Sequence, residues 1–110
     1  MNKQFKLSDY SLTFSTRVKA SELCDKLRQF VLTLDDNDNL FIDFSDVEAV
    51  SYSFFDQLLS ELLELESSLK KDITITGLSA NITSVIDKSL KHRSYQYKPT
   101  RSERTLLYQA

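Results

Sequence analysis

Two serines and an aspartate near the middle of the chain are the residues best suited to chemistry. Ser51, Tyr52 and Ser53 follow a strand-like segment, and Asp56 comes three residues after Ser53, where an apolar helix begins. This spacing predicts a capping box, in which the Ser53 hydroxyl accepts a hydrogen bond from the Asp56 amide and the Asp56 side chain bonds back. The positive end of a helix also stabilises an added phosphate. The segment therefore predicts a structural cap, a modification site, or both.

Other residue types that support catalysis are scarce. His92 and Cys24 are the only His and Cys, which is too few for a zinc site, and a single glycine excludes a glycine-rich phosphate loop. Cys24 falls on the apolar stripe of a predicted helix and is interpreted as a packed thiol. Asp43 and Asp46 leave one enzymatic alternative, an acidic magnesium site. We expect no enzymatic activity, no metal and no cofactor.

Composition is typical of one soluble domain. The chain has 110 residues, of which 41% are hydrophobic and 27% charged, with one Gly and one Pro. No apolar run approaches the roughly 20 residues that span a bilayer, and the first residues lack the apolar core of a signal peptide. One cysteine permits no internal disulfide. We therefore expect a single cytoplasmic domain over residues 1–110, without membrane association.

Charge is unevenly distributed along the chain. Residues 1–88 hold nine Lys or Arg against fifteen Asp or Glu, whereas residues 89–110 hold five against one. The basic end either balances an acidic body in solvent or, as an alternative function, binds single-stranded nucleic acid through cations interleaved with aromatic rings. The residues of this possible basic contact are Arg93, Lys98 and Arg101, with Tyr95, Tyr97 and Tyr108 for stacking.

Hydrophobic periodicity predicts strands that alternate with helices. The predicted segments are an N-terminal hairpin of Gln4–Leu7 and Leu12–Phe14, a helix over Val18–Leu32 capped by Ser15 or Thr16, a strand over Leu40–Phe44, a helix over Phe54–Leu69, a strand over Asp72–Thr76 and a helix after Ser79. Farther on, Ser94–Tyr97 and Thr105–Tyr108 are predicted strands on either side of Pro99, and the second is alternatively a short helix. This order predicts an α/β (α+β) fold with a mixed sheet of about four to five strands and helices mainly on one face.

The segment FIDFSDVEAVSYSFFDQLLSEL resembles the STAS domain, the fold of the anti-sigma-factor antagonists. It is more similar to a STAS-like family of unknown function, whose members end a strand with Asp-Phe and later place a serine, a phenylalanine and an acidic residue at a helix start. Ile42-Asp43-Phe44 and Ser53-Phe54-Phe55-Asp56 fit that form. The resemblance covers about residues 12–90, including Arg17, and leaves 93–110 as a basic tail.

The resemblance implies a non-enzymatic regulatory protein that binds a partner protein, such as a histidine-kinase-like ATPase, through the surface around Val50–Asp56. In the antagonists that partner phosphorylates a serine at the helix start, and the matching position here is Ser53. Antagonists carry Asp-Ser-Ser-Gly where this chain has Ser-Tyr-Ser-Phe, so the match supports partner binding more directly than phosphorylation. The expected partner-binding residues are Ser51, Tyr52, Ser53, Phe54 and Asp56.

Overall fold

The computed structural model describes residues 2–69, 73–92, 95–100 and 103–108. Within them the strands are β1 (Asn2–Lys6), β2 (Thr13–Phe14), β3 (Asn39–Asp43), β4 (Ala49–Val50), β5 (Ile73–Thr76), β6 (Tyr95–Thr100) and β7 (Glu103–Tyr108). The helices are α1 (Arg17–Val31), α2 (Tyr52–Leu69) and α3 (Ala80–His92), and a short 3-10 helix covers Leu7–Asp9. None of the described helices is both long enough and apolar enough to cross a membrane.

Parallel strands form the centre of the main sheet. Ile42 of β3 lies between Phe5 of β1 and Ile75 of β5 in parallel register. β5 then pairs antiparallel with β7, and β7 with β6, so the described strands are ordered β1-β3-β5-β7-β6. The connections through α1 and α2 both step the same way across the sheet, and right-handed crossovers place both helices on one face. The predicted α/β fold is confirmed, and the described residues form three helices and sheets that contain parallel strands.

The hydrophobic core lies between this sheet and the helices. Fully buried strand residues such as Ile42 face the apolar sides of α1 and α2. Aromatic pairs lock α2 in place: Phe54 packs on Phe14 with ring centroids 4.7 Å apart, and Phe55 packs on Phe44 at 6.2 Å. These contacts anchor the start of α2, because both rings project from its first turns.

The predicted N-terminal hairpin is wrong. β1 pairs with β3, while β2 pairs with β4, and both pairs are parallel. The segment between β1 and β2 contains none of the Asn-Gly or Asp-Gly dipeptides that favour tight hairpins. Burial determines the strand pairing instead. Phe5 and Leu7 are both buried in the core, and Leu7 is the first residue of the 3-10 helix.

Both predicted C-terminal strands are present, and the short-helix alternative for residues 105–108 is wrong. β6 and β7 pair along their whole length, from Tyr95 opposite Tyr108 to Thr100 opposite Glu103. Pro99 lies inside β6 rather than between two strands. Proline has no amide hydrogen to donate to a neighbouring strand. Because β6 is at the edge of the sheet and pairs only with β7, it can accommodate Pro99.

Candidate functional site at the start of α2

Ser51, not Ser53, caps α2. The Ser51 hydroxyl accepts a hydrogen bond from the Phe54 amide at 3.0 Å and donates one to the Ser15 carbonyl at 2.9 Å. The Ser51 carbonyl accepts from the Phe55 amide at 3.1 Å, which closes the first turn. The predicted capping box between Ser53 and Asp56 is therefore wrong. The prediction fails because β4 pairs with β2 and leads directly into α2. The helix therefore begins two residues earlier than predicted.

Ser53 is an exposed residue in the first turn of α2. Its hydroxyl forms no hydrogen bond with any described residue. Amide groups in the first turn of a helix lack partners within that helix, and the helix dipole places partial positive charge there. A phosphate on Ser53 would therefore lie in a favourable field without displacing the cap.

Asp56 joins the three helices through a buried carboxylate that is 7% exposed. Its Oδ2 accepts from Arg17 Nη1 of α1 at 3.0 Å, and its Oδ1 accepts from the hydroxyl of the buried Ser89 of α3 at 3.3 Å. The Arg17 side chain keeps 50% of its surface exposed. A desolvated carboxylate requires such compensation, so these contacts fix the first turns of α2 against both neighbouring helices.

Tyr52 lies between α2 and α3. Its ring is half-buried, and the ammonium of Lys88 lies 5.2 Å from the ring centroid, within the range of a cation–π contact. Lys88 precedes Ser89, the residue that binds Asp56. The side of α2 that carries Tyr52 and Asp56 is therefore held against α3.

The structure divides the predicted partner-binding residues into two groups. Ser51, Tyr52 and Ser53 reach the surface, whereas Phe54 and Asp56 are buried and present no side chain to a partner. Arg17, whose importance is not evident from local spacing, links the buried Asp56 to solvent. The signal in the sequence is the family resemblance, which includes Arg17, whereas Ala20 and Ser21, three and four residues later on α1, offer it no local charge partner.

Two exposed apolar side chains belong to segments that are bonded to this site. Among the described residues, the exposed large apolar side chains include Leu12 and Val18, at 47% and 66%. The Leu12 carbonyl accepts from the Glu48 amide at 2.8 Å, so this part of the chain is bonded directly to the segment that precedes α2. We define the α2-start surface as Leu12, Arg17, Val18 and residues 51–53.

Asp43 supports a turn. Its Oδ1 accepts from the Ser45 amide at 2.9 Å, and the backbone of Gly77 approaches so closely that a Cβ there would lie 2.5 Å from the same oxygen. Asp46 adopts a positive φ of 68° in the turn between β3 and β4. Within the described part of the chain, no group of three or more His, Cys, Asp or Glu side chains could hold a metal ion.

Cys24 is a buried thiol between α1 and α2. Burial, followed by the charge and hydrogen bond of Glu61, raises its pKa from 9.0 to about 12. Glu61 is itself held by Arg28 Nη2 at 2.8 Å and by the Ser21 hydroxyl at 3.4 Å. The thiolate is strongly disfavoured, which fits the packed thiol that the sequence predicts.

The proposed basic contact falls largely outside the described residues. Arg93 and Arg101 are not described, and Lys98 is described only as part of the backbone of β6. The alternative of nucleic-acid binding at this end therefore stays a prediction.

Comparison with known proteins now places the chain in a family. The model of the STAS-like domain of unknown function (DUF4325) matches residues 25–83, more than half of the 110 residues. The chain belongs to this family. The resemblance seen in the sequence is thereby confirmed, and residues 51–53 of the STAS-like domain lie inside the matched range. No curated protein and no solved structure matches the chain.

Proposed function

We propose that this STAS-like domain is a non-enzymatic regulatory protein that binds a partner protein through the α2-start surface, and that phosphorylation of Ser53 ends the binding. The observation that carries the proposal is the position of Ser53. Its hydroxyl is exposed and without a hydrogen-bond partner among the described residues, yet it projects from a helix start held firmly on both sides.

The rigidity of this helix start favours binding. Ser51 ties it to Ser15, and Asp56 ties it to Arg17 and Ser89. A surface already fixed in place loses little conformational entropy when a partner docks. The α2-start surface also combines exposed apolar groups with the guanidinium of Arg17, as in an interface with an apolar centre and a polar rim.

A phosphate on Ser53 would change the charge of this surface. It would add about two negative charges at pH 7 to the first turn of α2, where the guanidinium of Arg17 already balances the carboxylate of Asp56. The added charge either competes with Asp56 for Arg17 or stays unbalanced. In both cases a partner that covers Ser53 would have to desolvate the phosphate, and the free-energy cost of that desolvation releases the partner.

The kind of partner follows from the resemblance to the anti-sigma-factor antagonists. Those proteins bind an ATPase of the histidine-kinase-like type, which is also the enzyme that phosphorylates them. We propose an ATPase of this class as the partner of the present domain.

Affinity capture from a lysate of the native host tests the proposal. Wild type, Ser53→Asp and the control Ser67→Asp serve as baits; Ser67 is an exposed serine near the other end of α2. We expect wild type and Ser67→Asp to retain the same histidine-kinase-like ATPase, identified by mass spectrometry, and Ser53→Asp to retain about tenfold less, a difference of about 1.4 kcal/mol.

Two outcomes would count against the proposal separately. Equal retention by Ser53→Asp and wild type overturns the switch but leaves binding intact. Failure of wild type to retain any such ATPase overturns the proposed partner. Incubation of the captured complex with ATP, followed by intact mass measurement, should show one added phosphate on wild type and none on Ser53→Ala.

A further inference from the structure

A groove adjacent to the α2-start surface, but lined by other residues, runs between α1 and the segment that precedes it. It has a volume of 190 Å³ and an apolar floor of Phe14 and Leu23, both from the core. Tyr10, which is 51% exposed, forms one wall. Its ring stacks on Phe5 with centroids 5.3 Å apart, so the wall is fixed before anything binds.

One rim of the groove carries positive charge. Lys19, Glu22 and Lys26 project from α1 at spacings of three and four residues, which places them along one side of the helix. Neither lysine forms an ion pair with a described residue. The rim therefore has one net positive charge and two available ammonium groups, on a body that is otherwise acidic.

The size of the groove limits what it can hold. Pockets for cofactors and drug-sized ligands typically occupy about 300–1,000 Å³. A cavity of about 150 Å³ accommodates one benzene ring. At 190 Å³, with an open side, the groove suits one aromatic side chain that enters from outside while its backbone stays at the surface.

We propose that this groove binds an aromatic side chain of an acidic segment in a partner protein. The ring would occupy the space between Tyr10 and Leu23, while neighbouring carboxylates would pair with Lys19 and Lys26. None of these residues belongs to the α2-start surface, so the inference stands independently of Ser53 and of the ATPase.

Titration of the ¹⁵N-labelled 110-residue chain with short peptides tests the groove by NMR. The probes are the acetylated, amidated tripeptides Glu-Phe-Glu, Glu-Ala-Glu and Lys-Phe-Lys at millimolar concentrations. We expect Glu-Phe-Glu to shift the backbone amide signals of Tyr10, Ser11, Phe14 and residues 19–26. The other two should bind at least about fivefold more weakly, because each lacks either the ring or the negative charge.

Charge-reversal variants then test whether the lysines of the groove bind the carboxylates of the peptide. The double variant Lys19→Glu/Lys26→Glu should weaken binding of Glu-Phe-Glu by at least about fivefold. The control Lys91→Glu, an exposed lysine of α3 that does not line the groove, should leave it unchanged.

The peptide comparison needs no variant and can overturn the proposal by itself. Absence of shifts with Glu-Phe-Glu, or shifts confined to other residues, would remove the groove as a docking site. Equal affinity for Lys-Phe-Lys would remove the acidic partner, and equal affinity for Glu-Ala-Glu would remove the aromatic anchor.

Discussion

Two serines, two positions apart, have different roles at the start of α2. Ser51 holds the helix start through its bonds to Phe54 and Ser15, while Ser53 faces solvent without a structural task among the described residues. Local spacing assigns both roles to Ser53, because the serine-to-aspartate interval matches a capping box. The deciding contact is the bond from the Ser51 amide to the Phe14 carbonyl at 2.9 Å, which joins distant parts of the chain. Sequence spacing alone does not contain that information.

Substitution of each serine should separate the roles. We expect Ser51→Ala to lower the free energy of unfolding by about 1–2 kcal/mol, since it removes a helix cap and leaves the Ser15 carbonyl with one partner fewer. Ser53→Ala should change it by less than about 0.5 kcal/mol. Urea unfolding followed by circular dichroism measures both. A loss for Ser53→Ala as large as that for Ser51→Ala would contradict the assignment.

At the scale of the elements, the turn after β5 depends on the only glycine of the chain. Gly77 has a positive φ of 71°, and a Cβ at this position would come within 2.5 Å of the Ser45 amide nitrogen and of Asp43 Oδ1. The close approach brings the end of β5 against the turn that follows β3. The bond from the Phe44 amide to the Thr76 carbonyl, at 2.8 Å, belongs to the same junction.

The substitution Gly77→Ala should therefore destabilise the protein by at least about 1–3 kcal/mol, the usual cost of a strained backbone, with the Cβ contacts adding to it. Asp46 is the matched control, because it also has a positive φ, 68°, but carries a side chain. Asp46→Gly should change stability by less than about 1 kcal/mol. Thermal unfolding of both variants provides the comparison, and a harmless Gly77→Ala would show that the turn can relax.

Hydrophobic periodicity in the sequence is sufficient to predict the bounds of the helices. The bounds of α1 and α2 are predicted within two residues, because each helix buries one apolar stripe and that stripe is visible in the sequence. The N-terminal hairpin is wrong because short strands choose partners by long-range burial. β1 and β2 are neighbours in sequence, yet each pairs in parallel with a strand that follows α1.

For the whole molecule, the C-terminal hairpin covers a strand that would otherwise be an edge. β5 pairs with β3 on one side and with β7 on the other. Without β7, backbone groups of β5 would be available for pairing with other chains. The opposite edge, β1, carries Lys3 and Lys6, and charged side chains of this kind discourage such pairing.

A chain that ends at residue 92 should therefore be less stable and should self-associate. We expect its midpoint of thermal unfolding to fall by at least about 4 °C, and size-exclusion chromatography to reveal species larger than a monomer. A control chain that ends at residue 108 keeps β7 and should behave as the 110-residue chain. Identical melting of the two shortened chains would mean that the hairpin contributes nothing to stability.

The buried Cys24 has a practical consequence for experiments on this domain. Because its pKa is raised to about 12 and it is the single cysteine, the folded protein offers no reactive thiol near neutral pH. A cysteine introduced at position 53 would then be the one site that a maleimide dye modifies. Without any substitution of the native thiol, such a dye would report directly on what approaches the start of α2.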